Sequence, residues 1–258
     1  MINNKYKYCI SALVTFIFLG LQSCNNEESL VFEKQRFDTS TLKNCDSTDC
    51  ASVEISIIQA LNKTKPAIMI NSFIEDKVCG ILAVGEKNPE ENIERGIQAF
   101  NDFYLEFKNE FSSESIPYEA EINSDITFQN NEIICIAMDS YTFTGGAHGY
   151  GGVAFLNFDQ RTGQHLSPIN MLQDADSFTQ FAEQLFRKKF DIPTNASINS
   201  TGFFFENDQY KLPENIGINN QEIILYYNTY EIASYAEGAI VLKIPKSEVF
   251  SYFRLDIL

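Results

Sequence analysis

Apolar and polar residues alternate along several segments of the first half of the chain, a pattern typical of strands that bury one face. Residues 53–57 alternate in this way, and so do residues 118–129 over a longer distance. Residues 133–143 are more uniformly apolar, and Asn130-Asn131 before them suits a tight turn, so we predict a β-hairpin. Residues 68–73 are predicted as a further strand.

The second half of the chain contains more short strand patterns. Residues 153–158 follow a glycine-rich loop and lead into a turn at residues 159–163. Residues 223–227 are almost wholly apolar, as expected for a strand covered on both faces. Residues 240–244 alternate again, and Pro245 is predicted to end that strand.

Two segments instead show the 3.6-residue apolar period of a helix that packs on one side. In residues 88–111, we predict Asn88 as the N-cap and Pro89 as the first helical residue. The second helix is expected to begin at Asp174 or Asp176, and it carries basic residues near its C-terminal end. The order of elements predicts an α+β fold with two lobes, each an antiparallel sheet with a helix packed on one face.

The N-terminal residues carry a targeting pattern rather than a folded element. Residues 1–23 begin with Lys5 and Lys7 and continue with an apolar segment too short to span a membrane comfortably. The segment ends before Cys24 in a sequence that resembles the bacterial lipobox, which implies cleavage before Cys24 and diacylation of its thiol. No aspartate follows Cys24, so we expect an outer-membrane lipoprotein on the periplasmic or cell-surface face. An ordinary signal peptide with a chance cysteine is the alternative.

The remainder divides into three predicted parts. Residues 24–51 are polar and are predicted to form a lipidated tether that holds the folded part away from the membrane. Residues 52–163 are predicted as the first lobe, and residues 164–258 as the second.

Charge narrows the range of partners. The whole chain has a formal charge of −16, and without residues 1–23 there remain 17 basic and 35 acidic side chains, a charge of −18. An acidic protein repels nucleic acid and attracts cations and basic proteins. We therefore expect no nucleic-acid partner. The simpler interpretation is that the acidity only keeps the protein soluble.

The other cysteines suggest disulfides, because an exported protein with an even number of them usually pairs them. Cys45 and Cys50 are close enough in sequence for a local loop, which leaves Cys79 with Cys135. A zinc site is the disfavoured alternative, since neither histidine lies near these cysteines in sequence and there is no CxxC pair.

Two motifs carry a family resemblance. Residues 141–152 read YTFTGGAHGYGG, and residues 226–238 read YYNTYEIASYAEG. Together with the lipobox and the turn at residues 157–163, they resemble the extracytoplasmic module of the RsiV-type anti-sigma factors. Its paired domains of unknown function also occur in envelope lipoproteins, and the first of them precedes the catalytic domain of PdaC-type peptidoglycan deacetylases. The motif residues are Tyr141, Gly145, Gly146, His148, Gly149, Asp159, Gly163, Tyr230, Tyr235 and Gly238.

The resemblance implies a binding module, since RsiV-type modules bind lysozyme. Those sensors also carry a cytoplasmic segment and a spanning helix, whereas the apolar segment here is expected to be cleaved, so we do not expect an anti-sigma factor. The deacetylases carry a separate catalytic domain, which we do not expect here. The resemblance gives no individual residue a ligand contact.

Catalytic interpretations of the same residues are weaker. His148 and His165 are the only histidines, and with Asp159 they could hold a metal only if the hairpin brought all three together. No Gly-x-Ser-x-Gly elbow is present, and the glycine loop lacks the Gly-Lys-Ser/Thr ending of a phosphate-binding loop. We therefore expect no enzyme activity, metal or cofactor.

The sequence favours a membrane-anchored envelope module that binds a basic protein such as lysozyme. Tyr230 and Tyr235 are the first candidates for its interface, although core packing explains the tyrosines of this segment equally well. A hydrolase of envelope glycans that uses His148 and Asp159, or a structural subunit of an envelope complex, are the alternatives.

Overall fold

The computed structural model describes residues 29–42, 45, 50–85, 88–111 and 116–258. The predicted signal peptide and Cys24 lie outside these residues. In the part of the chain that is described, no helix combines the length and hydropathy of a membrane span.

Five strands form the first sheet, in the order β1-β2-β3-β4-β5. Neighbouring strands are antiparallel except β2 and β3, which run parallel. The strands are β1 (Phe32–Asp38), β2 (Ser52–Ala60), β3 (Glu119–Gln129), β4 (Ile133–Phe143) and β5 (Tyr150–Asp159).

Two helices connect the parallel strands, because a parallel pair needs a long crossover. They are α1 (Lys65–Leu82) and α2 (Ile93–Phe111). Their apolar sides pack on one face of the sheet and form the first core, in which Ile70, Ile97 and Ile122 are fully buried.

The second lobe has a three-stranded antiparallel sheet of β6 (Asn215–Ile218), β7 (Glu222–Tyr227) and β8 (Ile240–Pro245). Its helices are α3 (Pro168–Met171), α4 (Ala175–Lys189) and α5 (Lys246–Val249). The chain has 22 phenylalanines and no tryptophan, and this core contains five buried phenylalanines beside ten isoleucines. Phe186 alone makes ring contacts with Phe190, Phe203, Phe205, Tyr210 and Tyr227.

The second core also takes side chains from the first sheet. Alternation along β3 would place Phe128 on the same face as Ile126 and the first core. A β-bulge between these two residues breaks the alternation, so Phe128 lies in the second core with Ile133 and Cys135. Lys246 from α5 lies over the Phe128 ring, with Nζ 3.8 Å from its centroid. The two lobes are therefore packed together through β3 and β4.

The predicted α+β fold with two lobes is confirmed. The hairpin of β3 and β4 and the helix capped by Asp174 are also present, and the Asp174 side chain accepts a hydrogen bond from Ser177 N at 3.0 Å. The first sheet differs from the prediction, since it is mixed and carries two helices rather than one.

The strand predicted at residues 68–73 is wrong, because these residues lie inside α1. Pro66 occupies the first turn of the helix, where its missing N–H costs nothing. The buried residues Ile70, Ile74 and Val78 follow at helical spacing. The local run of apolar residues concealed this longer period.

The predicted start of the next helix is also wrong. Helix α2 begins at Ile93, not at Pro89, and Asn92 supplies the cap in place of Asn88. Its Oδ1 accepts a hydrogen bond from Arg95 N at 2.9 Å. An asparagine precedes both possible starts, and its position alone does not distinguish them.

The prediction that residues 24–51 form a polar tether is wrong for the part that forms β1. Residues Phe32–Asp38 pair with Ala60 to Glu54 along the edge of the first sheet. Both Phe32 and Phe37 pack against the first core. The folded part therefore begins before residue 52.

One of the two predicted disulfides is present. Cys45 and Cys50 form a disulfide with a Cα–Cα distance of 5.8 Å. The proposed bond between Cys79 and Cys135 is wrong, since both are free and buried. Cys79 faces the first core from α1, whereas Cys135 faces the second core from β4, so the sheet separates them.

Candidate ligand-binding surface

The second lobe covers the free edge of β5 with asparagine side chains. Asn228 accepts a hydrogen bond from Val153 N at 2.9 Å and donates one to Val153 O at 3.0 Å. Asn215 donates to the same carbonyl oxygen at 3.0 Å and accepts from Phe155 N at 3.2 Å. An edge strand exposes such groups, and here the amides take the place of a sixth strand.

This contact brings the two sequence motifs together. The imidazole of His148, in the loop before β5, stacks on the Tyr235 ring with a centroid distance of 4.5 Å and an angle of 22°. Tyr235 in turn contacts Tyr230, with ring centroids 5.4 Å apart. His148 Nδ1 also lies 3.0 Å from Gly149 O. Residues of the two motifs thus form one cluster at the junction of the lobes.

Two further tyrosines extend this cluster. Any side chain at Gly149 would overlap the Tyr141 ring, so the glycine allows that ring to lie across the loop. Tyr141 is 38% exposed, and Tyr150, at the start of β5, is 54% exposed. We call the set the aromatic surface, and it comprises Tyr141, His148, Tyr150, Tyr230 and Tyr235.

Tyr230 holds an unusual backbone conformation. It is the third residue of a turn closed by a hydrogen bond from Glu231 N to Asn228 O, and its φ is +71°. Glycine or asparagine usually occupies such a position, and a bulky residue there is strained. The turn is held from the other side by Asn228 N, which donates to Glu231 Oε2 at 2.8 Å. Backbone strain of this kind is concentrated at functional sites.

The predicted motif glycines occupy both ends of the cluster. Gly145 and Gly146 in the loop before β5, and Gly238 after Tyr235, all have positive φ.

A row of carboxylates across the first sheet ends beside the aromatic surface. Asp38, Glu54 and Glu121 lie directly opposite one another on β1, β2 and β3, and the next residue in this row is Tyr141 on β4. Carboxylates in direct cross-strand register repel each other, so this row forms a negatively charged strip that attracts cationic groups. A cleft of about 240 Å³ between β4 and the second lobe is lined by Glu121, Asp139 and Tyr141.

The remaining motif residues lie at the other end of β5. Asp159 Oδ1 accepts hydrogen bonds from Arg161 N and Thr162 N and thus holds a turn. Gly163 in that turn has a φ of +72°, and a side chain there would overlap the backbone of Pro66. These two residues therefore have a structural role, in which the turn packs against the start of α1.

The length of β5 also separates the residues of the catalytic hypotheses. His148 precedes β5 and Asp159 ends it, so an extended strand places them about 30 Å apart. His165 stacks on Phe73 at a centroid distance of 4.2 Å, beside the Asp159 end of the strand. Neither the two histidines nor His148 and Asp159 can act on one substrate atom. Nor does any group of three or more histidine, cysteine or acidic side chains in the described ranges form a metal site.

Sequence reasoning missed the residues that assemble this surface. Asn228 and Asn215 each lie at one end of a second-lobe strand, where an asparagine usually signals only a turn. Their hydrogen-bond partners are 75 and 60 residues away in sequence. Asn228 stands in the motif at residues 226–238, but no local pattern indicated that it or Asn215 would pair with β5.

Comparisons with known families agree with this arrangement. The family described as "Deacetylase PdaC" matches residues 44–150, and the family described as "Protein of unknown function (DUF3298)" matches residues 171–247. Residues 44–150 are therefore similar to the PdaC family, and residues 171–247 are similar to the DUF3298 family. This pair of matches confirms the resemblance to the RsiV-type module. The aromatic surface takes residues from both matched regions.

Solved structures show the same fold. A member of the DUF3298 family from Bacteroides fragilis has 19% identity and a TM-score of 0.67, over 88% of this chain and 94% of that one. A DUF3298 family protein from Pseudomonas aeruginosa PAO1 has 19% identity and a TM-score of 0.60, over 88% of this chain and 96% of that one. No curated protein matches the chain.

Proposed function

We propose that this protein is a lipid-anchored module of the bacterial envelope that binds a basic protein, such as lysozyme, through the aromatic surface. The successive matches to the PdaC and DUF3298 families support an envelope-associated module whose ligand is unassigned. The lipobox-like sequence before Cys24 supports the lipid anchor and the outer membrane.

The contact of His148 with Tyr235 is the observation that carries the proposal. It brings the characteristic motif of each domain into one exposed cluster rather than into a core. Tyrosine is enriched in protein interfaces because its ring supplies apolar area and its hydroxyl supplies a hydrogen bond. Tyr230 and Tyr235 are 53% and 45% exposed, and the strained backbone at Tyr230 supports a role beyond packing.

The charge of the protein supports a basic partner. The mature chain would carry −18, and the acidic row next to Tyr141 concentrates carboxylates beside the aromatic surface. Complementary charge speeds the encounter of two proteins and weakens with salt.

Binding rather than catalysis is favoured by the geometry. The two residues of the hydrolase hypothesis, His148 and Asp159, lie at opposite ends of β5. His148 is instead engaged by a tyrosine ring and a backbone carbonyl oxygen.

A calorimetric titration tests the proposal. The chain from residue 25 onward is titrated with a panel of lysozymes and other basic proteins at about 0.05 M and about 0.5 M salt. We expect saturable binding that weakens with salt and falls at least about tenfold in Tyr235→Ala. Phe250→Ala is the matched control, because Phe250 is 49% exposed in the same domain and is not part of the aromatic surface. Absence of binding by a folded protein, or equal losses in both variants, would overturn the proposal.

The anchor is tested separately. Cys24→Ser, in the full chain expressed in a Gram-negative host, is expected to release the protein from the membrane fraction. A variant that stays in that fraction as the wild type does would contradict lipidation at Cys24.

A further inference from the structure

A cavity of about 790 Å³ opens beside the aromatic surface, between the second lobe and Tyr150 of the first lobe. The rings of Tyr210 and Tyr227 line its inner part and are buried. Tyr150 and Tyr230 line its mouth and belong to the aromatic surface as well, and Phe204 at the mouth is exposed. A ligand on the surface would therefore have direct access to the cavity.

The charged groups that line this cavity are mainly acidic. Among the described residues that line it, Glu206, Glu214 and Glu231 are acidic and Lys211 is basic, so their net charge is −2. Partial loss of hydration raises the pKa of Glu231, and the negative charge of Glu214 adds to this effect, while hydrogen bonds from Asn228 N and Glu214 N and the charge of Lys211 oppose it. Two carboxylates that repel each other are stabilised by a cation placed between them.

The aromatic walls of the cavity also suit a cationic ligand. Aromatic faces attract an ammonium or guanidinium group within about 6 Å of the ring centroid, and the attraction is larger where water is excluded. A carboxylate that accepts a hydrogen bond from such a cation adds a charge-assisted contact. The cavity combines aromatic rings with carboxylates, and a neutral ligand would leave its net negative charge unchanged.

We propose that this cavity binds the side chain of a lysine or arginine on the basic partner, between Tyr150 and Tyr230 and in front of Glu214 and Glu231. This inference rests on the function proposed above, and it names the anchor of that interface. Tyr230 has a strained backbone in its turn. This turn places the Tyr230 ring at the mouth of the cavity and the next residue, Glu231, on the cavity wall.

The cavity can be tested without the partner. Nα-acetyl-lysine methylamide and Nα-acetyl-arginine methylamide are titrated into the isotope-labelled protein and followed by NMR, with Nα-acetyl-norleucine methylamide as the neutral probe. We expect millimolar, saturable shifts at residues lining the cavity for at least one basic probe and none for the neutral one. The double variant Glu214→Gln/Glu231→Gln is expected to weaken that binding at least about fivefold.

A matched double variant controls for net charge. Glu94→Gln/Glu248→Gln removes two exposed carboxylates outside the cavity. It should bind the basic probe as the wild type does, and thermal unfolding verifies that both doubles are folded. In Glu231→Gln the side-chain amide oxygen can still accept from Asn228 N, so the turn is preserved. Equal binding of basic and neutral probes, or equal losses in the two doubles, would overturn the inference.

The two proposals can fail separately. If a basic protein binds the wild type and Glu214→Gln/Glu231→Gln equally but loses affinity in Tyr235→Ala, the aromatic surface is the interface and the cavity is not its anchor. If the basic probes bind in the cavity but no basic protein binds the chain, the cavity is a site for a small organic cation and the proposed partner is wrong.

Discussion

Asn228 pairs with Val153 as a neighbouring strand would, accepting from its N–H at 2.9 Å and donating to its carbonyl oxygen at 3.0 Å. The two residues belong to different lobes. The side chain of Asn228 therefore binds the sheet edge, while its backbone N and O make the hydrogen bonds of the turn that carries Tyr230. This contact thus links the position of Tyr230 to β5 of the other lobe.

Removal of this side chain should loosen the junction of the lobes. Asn228→Ala leaves the Val153 N–H without its partner and is expected to lower the free energy of unfolding by about 1–3 kcal/mol. Urea denaturation measures the loss, and hydrogen exchange at Val153 should become faster. Asn220→Ala, at an exposed turn of the same lobe, is the control and should change stability by less than about 0.5 kcal/mol. Equal stability of the two variants would show that the pairing contributes little.

Relief of the strained turn at Tyr230 should preserve or raise stability while it lowers binding affinity. Tyr230→Gly relieves the cost of a positive φ, roughly 1–2 kcal/mol, against about 0.5–1 kcal/mol of extra chain entropy. We expect a thermal midpoint equal to or above that of the wild type, while affinity for the basic protein falls at least about tenfold. Calorimetry and thermal unfolding measure the two quantities.

The neighbouring residue supplies the control. Thr229 has no positive φ, so Thr229→Gly should lower stability, and it should reduce affinity less than Tyr230→Gly does because the Tyr230 ring is kept. If Tyr230→Gly is the less stable of the two and binds as well as the wild type, the strain has no functional role.

The sequence predicted the strands best where one face alone is buried. Alternation identified β3 and β8 because a half-buried strand shows its period of two within a few residues. It failed at α1, where six neighbouring residues looked like a strand and the helical period appears only over Ile70, Ile74 and Val78. It also could not predict the bulge that turns Phe128 to the second core, since one inserted residue leaves no local signal.

The site was predicted in parts but not as a whole. The motifs identified His148 and Tyr235, but their contact depends on hydrogen bonds between residues far apart in sequence. Asp159 and Gly163 are equally prominent in the sequence and yet serve a turn at the far end of β5. Glycine and aspartate occur at turns and at binding sites alike, so only the fold separates the two roles.

The free cysteines should be inert in the native protein. Burial raises the pKa of both Cys79 and Cys135 to about 11, so the reactive thiolate is scarce at neutral pH. We expect a thiol reagent to label neither residue in the native chain from residue 25 onward, and to label both after unfolding. Mass spectrometry should also find Cys45 and Cys50 linked. If the unfolded protein shows no free thiol until a reductant is added, Cys79 and Cys135 are linked by a second disulfide and this prediction is wrong.

His165 should make the protein less stable in mild acid. Its ring lies against Phe73, and burial, together with the positive charge of Lys77, lowers its pKa below the ordinary value of 6.5. The unfolded chain therefore binds a proton more readily than the folded one, so the stability from the neutral ring is full above about pH 6.5 and is lost as the pH falls. Urea denaturation from about pH 7.5 to about pH 5.5 measures this loss.

Two variants separate this residue from the many carboxylates. His165→Phe keeps a ring against Phe73 but cannot bind a proton, so its free energy of unfolding should fall less over this pH range than that of the wild type. Lys77→Met removes only the smaller cause of the pKa shift, and its pH dependence should lie between the two. If the wild type and His165→Phe lose the same free energy, protonation of other groups governs the acid response, and the packing of His165 on Phe73 does not hold the ring neutral.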